Sequence, residues 1–259
     1  MAEDKDRLHV LQVTDCHLLP SPDSTLLGVC TADSLRAVLD AACAECTPDA
    51  VLATGDLAQA ASPATYELFL AIMARYHNGP LLCVPGNHDH GTTFDDALPT
   101  EDLALGGWRI SGVDTHIDDV VAGAVSEAEM ARLESALDNA KAWRLVAGHH
   151  CPVPIGCDWL DVHKVGNGDE LIDVLNAAGV EAYVFGHIHQ EVEAQAGLPL
   201  YGTPSTCFQF APGSPSFAID DAKPGYRWLR LDPDGSFETE VRRVDHYDLR
   251  LDLTDRDNR

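Results

Sequence analysis

The chain has 259 residues, 45% of them hydrophobic, which is typical of a folded globular protein with a full core. Its 42 acidic and 17 basic residues give a formal net charge of −25, which disfavours binding to nucleic acid. No stretch is long and apolar enough to span a membrane. The eight cysteines are scattered through apparent core segments, and no signal peptide follows the charged start, so we expect a cytoplasmic protein with reduced thiols.

Six apolar runs typical of buried strands occur between residues 8 and 186. They are LHVLQVT (8–14), AVLAT (50–54), PLLCVP (80–85), WRISGVD (108–114), WRLVAG (143–148) and AYVFG (182–186). Four segments between these runs have the apolar period of a helix. Their apolar positions are Leu35, Val38, Leu39 and Ala42; Leu68, Ile72, Met73 and Tyr76; Met130, Leu133 and Leu137; and Leu171, Val174 and Leu175. This alternation predicts an α/β fold.

Local signals agree with these helices. Ser62 followed by Pro63 suits a helix start. Ser126 and Glu129 have the spacing of a capping box, and Gly179 is placed to end the last helix.

After residue 190 the strand-like segments become shorter and follow one another along the chain. These are PLYGTP, SFAID, YRWLRL and FETEVRRV, with DPDG between the last two as a hairpin turn. We expect residues 190–250 to be rich in antiparallel strands and residues 251–259 to be a frayed tail. Because no repeat or linker divides the chain, we expect residues 1–259 to form a single domain, with two packed sheets flanked by helices.

Polar residues follow five of the six apolar runs, at the positions where strands should end. They are Asp15-Cys16-His17, Gly55-Asp56, Gly86-Asn87-His88-Asp89, Gly148-His149-His150 and Gly186-His187-Ile188-His189. In α/β folds ligands collect at the carboxyl ends of strands, so these corners are the first candidates for chemistry.

The residue types in these corners indicate a metal site. Carboxylates, imidazoles and an amide suit Mn²⁺, Fe²⁺ or Zn²⁺, whereas Mg²⁺ and Ca²⁺ prefer oxygen ligands. The set is large enough for two metals if one carboxylate bridges them. Each corner taken alone also fits an ordinary turn, but five corners in the same context favour the metal site.

Taken in this order, the corners resemble those of the calcineurin-like metallophosphoesterases, over residues 11–189. The resemblance implies a four-layer α/β/β/α sandwich with a dinuclear metal centre. It places Asp15, His17 and His189 on one metal, and Asn87, His149 and His187 on the other. Asp56 would lie between the two metals. His150 competes with His149 for its place, and we prefer His149 because the first histidine of such a strand end is the ligand in similar enzymes.

The corner GNHDH supplies the candidate catalytic residues. Beside the ligand Asn87, the imidazole of His88 can donate a proton to a leaving oxygen or stabilise charge on a phosphoryl group. Asp89 either orients that imidazole or finishes the turn, and His90 is expected to face solvent. The candidate substrate-binding residues are His17, Asp56, Asn87, His88 and His189.

Further segments, up to about residue 245, resemble the class III bacterial 3',5'-cyclic-AMP phosphodiesterases. They are HHCPVPIGCDWLDVHKVGN, GHIHQEVEAQAGLPLYGTPSTCFQF and PGYRWLRLDPDGSFETEVRRV. The resemblance implies hydrolysis of 3',5'-cyclic AMP to 5'-AMP by a metal-bridging hydroxide, with Fe²⁺ or Mn²⁺ preferred and Zn²⁺ allowed. It also allows a homodimer.

Four alternatives stay open at this point, the last of them for Trp159 and His163. The first is a broader phosphodiesterase that acts on noncyclic diesters or 2',3'-cyclic nucleotides, and the second is a scaffold without catalysis. The third concerns the pocket, because residues 203–209 could line it or pack in the core. Trp159 and His163 could stack on a base or lie at a subunit contact.

Overall fold

The computed structural model describes residues 6–89, 91–138 and 141–254. Within these ranges the helices are α1 (Thr31–Glu45), α2 (Pro63–Met73), α3 (Gly91–Ala97), α4 (Glu127–Leu137), α5 (Asp158–Asp161) and α6 (Gly168–Ala177). The strands up to residue 112 are β1 (Leu8–Val13), β2 (Thr25–Leu26), β3 (Val29–Cys30), β4 (Ala50–Thr54), β5 (Leu81–Val84), β6 (Leu103–Leu105) and β7 (Trp108–Gly112). The later strands are β8 (Trp143–Ala147), β9 (Ala182–Phe185), β10 (Val192–Gln195), β11 (Pro199–Gly202), β12 (Gln209–Phe210), β13 (Ile219–Asp220), β14 (Gly225–Leu231) and β15 (Phe237–Arg243).

Two mixed sheets form the centre of the molecule. The first has the strand order β15-β14-β1-β4-β5, and the second has the order β10-β11-β9-β8-β7-β6. Strands β1, β4 and β5 run parallel to one another, as do β7, β8, β9 and β11, so their carboxyl ends meet at the same edge of each sheet.

Alternate residues of the central strands point to opposite faces and build separate cores. Val10 and Leu52 pack in an inner core with residues of the second sheet, such as Val184. Their chain neighbours Leu11 and Val51 pack in an outer core together with residues of α1 and α2. A third core joins the second sheet to α4 and α6. The layers are therefore helix, sheet, sheet, helix, which confirms the predicted α/β/β/α sandwich.

The predicted elements are present close to their predicted positions, and the helix starts follow their sequence signals. Ser62 Oγ accepts a hydrogen bond from the Thr65 amide at 3.2 Å, and Ser126 Oγ accepts one from the Glu129 amide at 3.1 Å. The Glu129 carboxylate accepts from the Asp114 amide at 2.9 Å, so it supports the end of β7 rather than closing a capping box. The helix α3, the short α5 and the β2–β3 hairpin were not predicted.

The C-terminal part begins with the edge strand β10 and ends on the hairpin of β14 and β15, which pair antiparallel around the predicted DPDG turn. Strand β11 pairs parallel to β9 on its other side. The stretch 251–259, predicted to be frayed, begins with contacts to the body: Leu251 packs against the cluster that contains Leu26, and the Asp252 amide donates to the Leu27 carbonyl at 2.8 Å. Residues 255–259 lie outside the described residues. The single domain over residues 1–259 stays a prediction.

In the part of the chain that the structure describes, no helix combines the length and the apolar character that crossing a bilayer demands.

Candidate metal centre

The five polar corners converge where the two sheets face each other. Asp15 and His17 follow β1, Asp56 follows β4, Asn87 and His88 follow β5, His149 follows β8, and His187 and His189 follow β9. Six of these eight side chains line a cavity of about 180 Å³, and the other two, Asp15 and His149, are fully buried behind it. The sheets thus bring every predicted ligand and every predicted catalytic or substrate-binding residue to one site.

The backbone at this site is strained. Five candidate ligands have left-handed φ angles, which non-glycine residues adopt only in a few per cent of cases. They are Asp15 at 51°, His17 at 45°, Asp56 at 50°, His187 at 65° and His189 at 48°. Such strain persists only where the surrounding structure imposes it, and it concentrates at functional sites. The folded chain therefore keeps an unfavourable backbone conformation at these five residues, which directs their side chains to one point.

The first group of side chains consists of Asp15, His17 and His189. Asp15 Oδ1 lies 3.3 Å from His189 Nε2, and the Nε2 atoms of the two imidazoles lie 3.1 Å apart. Asp15 is fixed by the Thr14 hydroxyl, which donates to its Oδ2 at 2.8 Å. Two nitrogens and one carboxylate oxygen thus converge within ligating distance of a single point.

The second group consists of Asn87, His149 and His187. The Nε2 atom of His149 lies 3.3 Å from Asn87 Oδ1. The Nε2 atom of His187 is buried and has no hydrogen-bond partner. A buried nitrogen without a hydrogen-bond partner lowers the stability of the folded protein. The lone pair or the hydrogen of this nitrogen therefore requires a partner that the protein itself does not supply.

Asp56 lies between the two groups. Its Oδ2 is 3.8 Å from His17 Nε2 in the first group and 3.4 Å from His149 Nε2 in the second. Its other oxygen accepts a hydrogen bond from the His88 amide at 2.8 Å. One carboxylate therefore reaches both groups, which is the position that a bridging ligand occupies in a dinuclear site.

Three imidazoles are held through Nδ1 by oxygen atoms. His149 Nδ1 lies 2.8 Å from the Thr54 carbonyl, His189 Nδ1 lies 2.8 Å from the Phe208 carbonyl, and His17 Nδ1 lies 2.8 Å from Gln59 Oε1. A carbonyl only accepts, so these contacts place the ring hydrogen on Nδ1 and leave the Nε2 lone pair facing the site. Histidines that ligate metals are commonly oriented in this way, by a hydrogen bond from the ring nitrogen that does not face the metal.

His150 has a different environment from His149. Its Nδ1 lies 2.7 Å from Thr115 Oγ1 and its Nε2 lies 3.0 Å from the Val121 carbonyl, so both ring nitrogens have protein partners. Burial lowers the pKa of His150 to about 3, which keeps the ring neutral in this position. The Nε2 atom of His149 thus faces Asp56, whereas both ring nitrogens of His150 are engaged elsewhere in the protein.

Burial dominates the electrostatics of the site. It lowers the pKa of His17 to about 3 and that of His187 well below its usual value, which keeps both rings neutral. Burial also opposes the charged form of His149, but the attraction of Asp56 outweighs it and raises the pKa of His149 to about 9. In the same pair, burial would raise the pKa of Asp56, and the charge on His149 lowers it instead. A cation is thus favoured at this position, either as a proton or as a metal ion.

His88 lines the cavity of the metal centre. Its Nδ1 lies 3.0 Å from the Gln59 carbonyl, which leaves Nε2 as the free nitrogen. Asp89 does not contact this ring. Its carboxylate accepts from the Gly86 amide at 3.0 Å and from the Tyr66 hydroxyl at 2.9 Å, so it finishes and anchors the turn. His90 lies outside the described residues.

Residues 203–209 split between the two roles considered for them. Ser205 Oγ donates to the Asp15 carbonyl at 2.8 Å, and Cys207 is fully buried, so these residues support the ligand corner from behind. Phe208 instead lines a second cavity beside His17. Trp159 and His163 line the cavity of the metal centre together with His88.

Sequence reasoning missed Gln59. This residue binds His17 through its side chain and His88 through its backbone carbonyl, so it orients two site residues at once. The only signal was its position three residues after Asp56, in the same loop.

Comparisons with known proteins agree with this geometry. The model of the family described as calcineurin-like phosphoesterase matches residues 8–191. The chain belongs to the calcineurin-like phosphoesterase family. The resemblance seen in the sequence over residues 11–189 is thereby confirmed.

Two relatives and one solved structure illustrate what this phosphoesterase is similar to. It is 39% identical over 252 residues to "3',5'-cyclic adenosine monophosphate phosphodiesterase CpdA" of Pseudomonas aeruginosa, covering 94% of this chain and 92% of that protein. It is also 39% identical to the protein of the same name from Escherichia coli strain K12, covering 92% of this chain and 90% of that protein. The purple acid phosphatase PPD1 from yellow lupin seeds shares the fold, with a TM-score of 0.62 at 13% identity, covering 95% of this chain and 52% of that one.

The family implies divalent metal ions, and the residues of this phosphoesterase fit them. Its buried His and Asp clusters offer nitrogen and oxygen ligands, the lone pairs of His17 and His189 face each other, and His187 Nε2 has no protein partner. Each of these features is unfavourable in an empty cavity and favourable around a cation.

Proposed function

We propose that this phosphoesterase hydrolyses 3',5'-cyclic AMP to 5'-AMP. The observation that carries the proposal is the position of Asp56 between two buried ligand groups, with the free Nε2 of His88 on the same cavity. The choice of substrate is supported by relatives that are 39% identical over nearly the whole chain and whose names specify this reaction.

We assign seven residues to two divalent metal ions. Asp15, His17 and His189 would hold one ion, and Asn87, His149 and His187 the other, with Asp56 shared. His149 is chosen over His150 because only its Nε2 faces Asp56. The mixed nitrogen and oxygen donors favour Fe²⁺ or Mn²⁺ and allow Zn²⁺. When bound, such a pair supplies a water of lowered pKa and neutralises charge on phosphoryl oxygens.

The protein's own contribution to the reaction is made by His88 and Asn87. The Gln59 carbonyl fixes the His88 hydrogen on Nδ1, so a protonated ring presents its second hydrogen, on Nε2, to the cavity. The attacking water loses one proton to solvent as its oxygen bonds to phosphorus, and as the bond from phosphorus to the 3' oxygen breaks, His88 gives its Nε2 proton to the departing oxygen. The amide of Asn87 lies on the same cavity, where it can donate to a nonbridging phosphoryl oxygen. The products are 5'-AMP with a free 3' hydroxyl.

The decisive experiment compares three substrates side by side. Protein stripped with a chelator is reloaded with Mn²⁺ or Fe²⁺ and given 3',5'-cyclic AMP, 2',3'-cyclic AMP and a simple aryl diester. We expect the highest kcat/KM with 3',5'-cyclic AMP. Cleavage of only the other two substrates would contradict the assignment of 3',5'-cyclic AMP as the substrate but would agree with the assigned metal centre. Binding of metals without cleavage of any substrate would contradict the proposal that the protein is a catalyst.

We also propose a cytoplasmic location for the enzyme. All eight cysteines lie in the described part of the chain and are free thiols, as expected in a reducing compartment.

A further inference from the structure

We propose that an apolar cavity beside the metal centre binds the planar base of the nucleotide, an inference that rests on the proposed function. The cavity measures about 340 Å³, at the lower end of the range of about 300 to 1,000 Å³ found for small-molecule pockets. Its lining residues come from four separate segments of the chain. They are His17, Leu26, Leu27, Gln59, His88, Phe208, Phe210 and Phe217.

This cavity, the base pocket, adjoins the cavity of the metal centre. His17, His88, Phe210 and Phe217 line both of them. A substrate whose phosphate lies at the metal ligands therefore has its remaining part directed into the base pocket. His88 stands at the boundary, where the bond between phosphate and ribose would lie.

The lining of the base pocket suits an aromatic heterocycle. Among the described residues that form it, three are phenylalanines and two are leucines, and none carries an acidic or a permanently basic group. The rings of Phe210 and Phe217 lie 5.6 Å apart at 66°, which forms a corner against which a planar group can stack. A glycerol-like alcohol would instead bury hydroxyls without partners. The pocket therefore favours a nucleotide over a small noncyclic diester.

Gln59 adds one directional group to this lining. Its Oε1 is engaged by His17 Nδ1 at 2.8 Å, so the amide nitrogen is the part of the side chain left to donate. Bases present acceptor atoms on their edges, and a single donor can orient a stacked ring.

The backbone conformation of Leu27 supports the base pocket independently of its lining. Leu27 has a φ of 51° and precedes Gly28 at 83°, in the two-residue turn between β2 and β3. This turn favours Asn-Gly, and a bulky leucine at positive φ is a true outlier. The hairpin is braced from behind, because the Asp252 amide donates to the Leu27 carbonyl at 2.8 Å. The chain thus maintains a strained conformation that places a leucine in the wall of the base pocket, as occurs at ligand clamps.

Adenosine, which lacks a phosphate, tests the base pocket apart from catalysis. Its binding to the full, manganese-loaded chain is measured by calorimetry for the natural protein, Phe217→Ala and Leu27→Asn. Phe217 is 46% exposed, so its truncation should keep the fold, and asparagine suits the turn at position 27. We expect each variant to bind adenosine about tenfold more weakly, within the range of base stacking on aromatic groups. Trp143→Ala, which truncates a 39% exposed ring at the far end of β8, should bind within about twofold of the natural protein.

The results separate this inference from the proposed function. If 3',5'-cyclic AMP is hydrolysed but adenosine does not bind, or binds equally to the natural protein and both pocket variants, the base pocket is overturned and the function is retained. If adenosine binds with the expected losses but no cyclic nucleotide is hydrolysed, the base pocket is supported and the proposed function fails. If the base pocket and the proposed function are both correct, the KM for 3',5'-cyclic AMP should rise in Phe217→Ala and Leu27→Asn and stay constant in Trp143→Ala.

Discussion

The Nε2 atoms of His17 and His189 face each other at 3.1 Å. Gln59 Oε1 holds the first ring through Nδ1, and the Phe208 carbonyl holds the second in the same way. With the hydrogens on Nδ1, two nitrogen lone pairs point at each other, and no hydrogen lies between them. A divalent cation converts this repulsion into ligation, so the folded protein prepares a site that a metal stabilises.

Metal ions should raise the thermal stability of the protein. Binding at a concentration of 100 times Kd adds about 2.7 kcal/mol, which for a chain of this size corresponds to a rise in Tm of about 5–10 °C. We expect this rise when Mn²⁺ is added to chelator-stripped protein in a thermal scan. Asp56→Asn should lose most of it, because Asp56 reaches both ligand groups.

The matched control for this scan is Glu67→Gln, which makes the same carboxylate-to-amide change at an exposed position of α2. It should keep the full metal-dependent rise. An equal rise in Asp56→Asn would contradict the shared position of Asp56.

His88→Ala should lower kcat by about 10²- to 10⁴-fold, the usual contribution of a positioned general acid. The metal content, measured by mass spectrometry, should stay unchanged, because the His88 ring is held by Gln59 and is not among the assigned ligands. His246→Ala, at an exposed position beyond β15, should match the natural enzyme in both measurements. A parallel loss of turnover and metal in His88→Ala would assign His88 to the metal instead.

His149→Ala and His150→Ala should separate metal binding from folding. His149→Ala removes the Nε2 atom that faces Asp56, so we expect the metal content to fall by about one ion per chain. His150→Ala removes the imidazole partners of the Thr115 hydroxyl and the Val121 carbonyl, and leaves Thr115 only the backbone amide of residue 150, which should lower the free energy of unfolding by about 1–3 kcal/mol. Its metal content should stay at the natural value. The reverse pattern in metal analysis would make His150 the ligand.

The sequence was sufficient for the architecture of this protein because periodicity and strand ends are local signals. The apolar runs mark strands with a side-chain period of two, and the polar corners mark their carboxyl ends. Parallel strands of one sheet place these ends together, so the convergence of Asp15 and Asp56 follows from the topology, and the packing of the two sheets adds His187. Ser62 and Gly179 act through backbone geometry within one turn, so the helix start and the helix end that they predict are both present.

Features that depend on tertiary contacts could not be predicted from the sequence. Leu27-Gly28 does not have the usual composition of its turn, and the hairpin is held in place by Asp252, more than 200 positions away. The two adjacent histidines at the end of β8 have the same local sequence context. Their roles depend on partners in other elements: Thr54 for His149, and Thr115 for His150.

Gly55→Ala should damage the metal centre far more than the loss of glycine's backbone freedom alone would. Gly55 has a φ of 91°, and a Cβ atom there would overlap the imidazole of His149. Gly179→Ala is a matched control, because Gly179 also has a positive φ, at 65°, but a Cβ atom there would meet no atom within 4 Å. Backbone strain alone should lower stability by about 1–2 kcal/mol in both variants.

The comparison of the two alanine variants isolates the contact with His149. Gly55→Ala should unfold at a lower urea concentration than Gly179→Ala and should also lose metal, because the displaced imidazole no longer faces Asp56. Gly179→Ala should keep its metal content, since Gly179 lies at the end of α6, outside the cavity of the metal centre. Equal stability and equal metal content in the two variants would show that His149 tolerates displacement, which its assignment as a ligand does not allow.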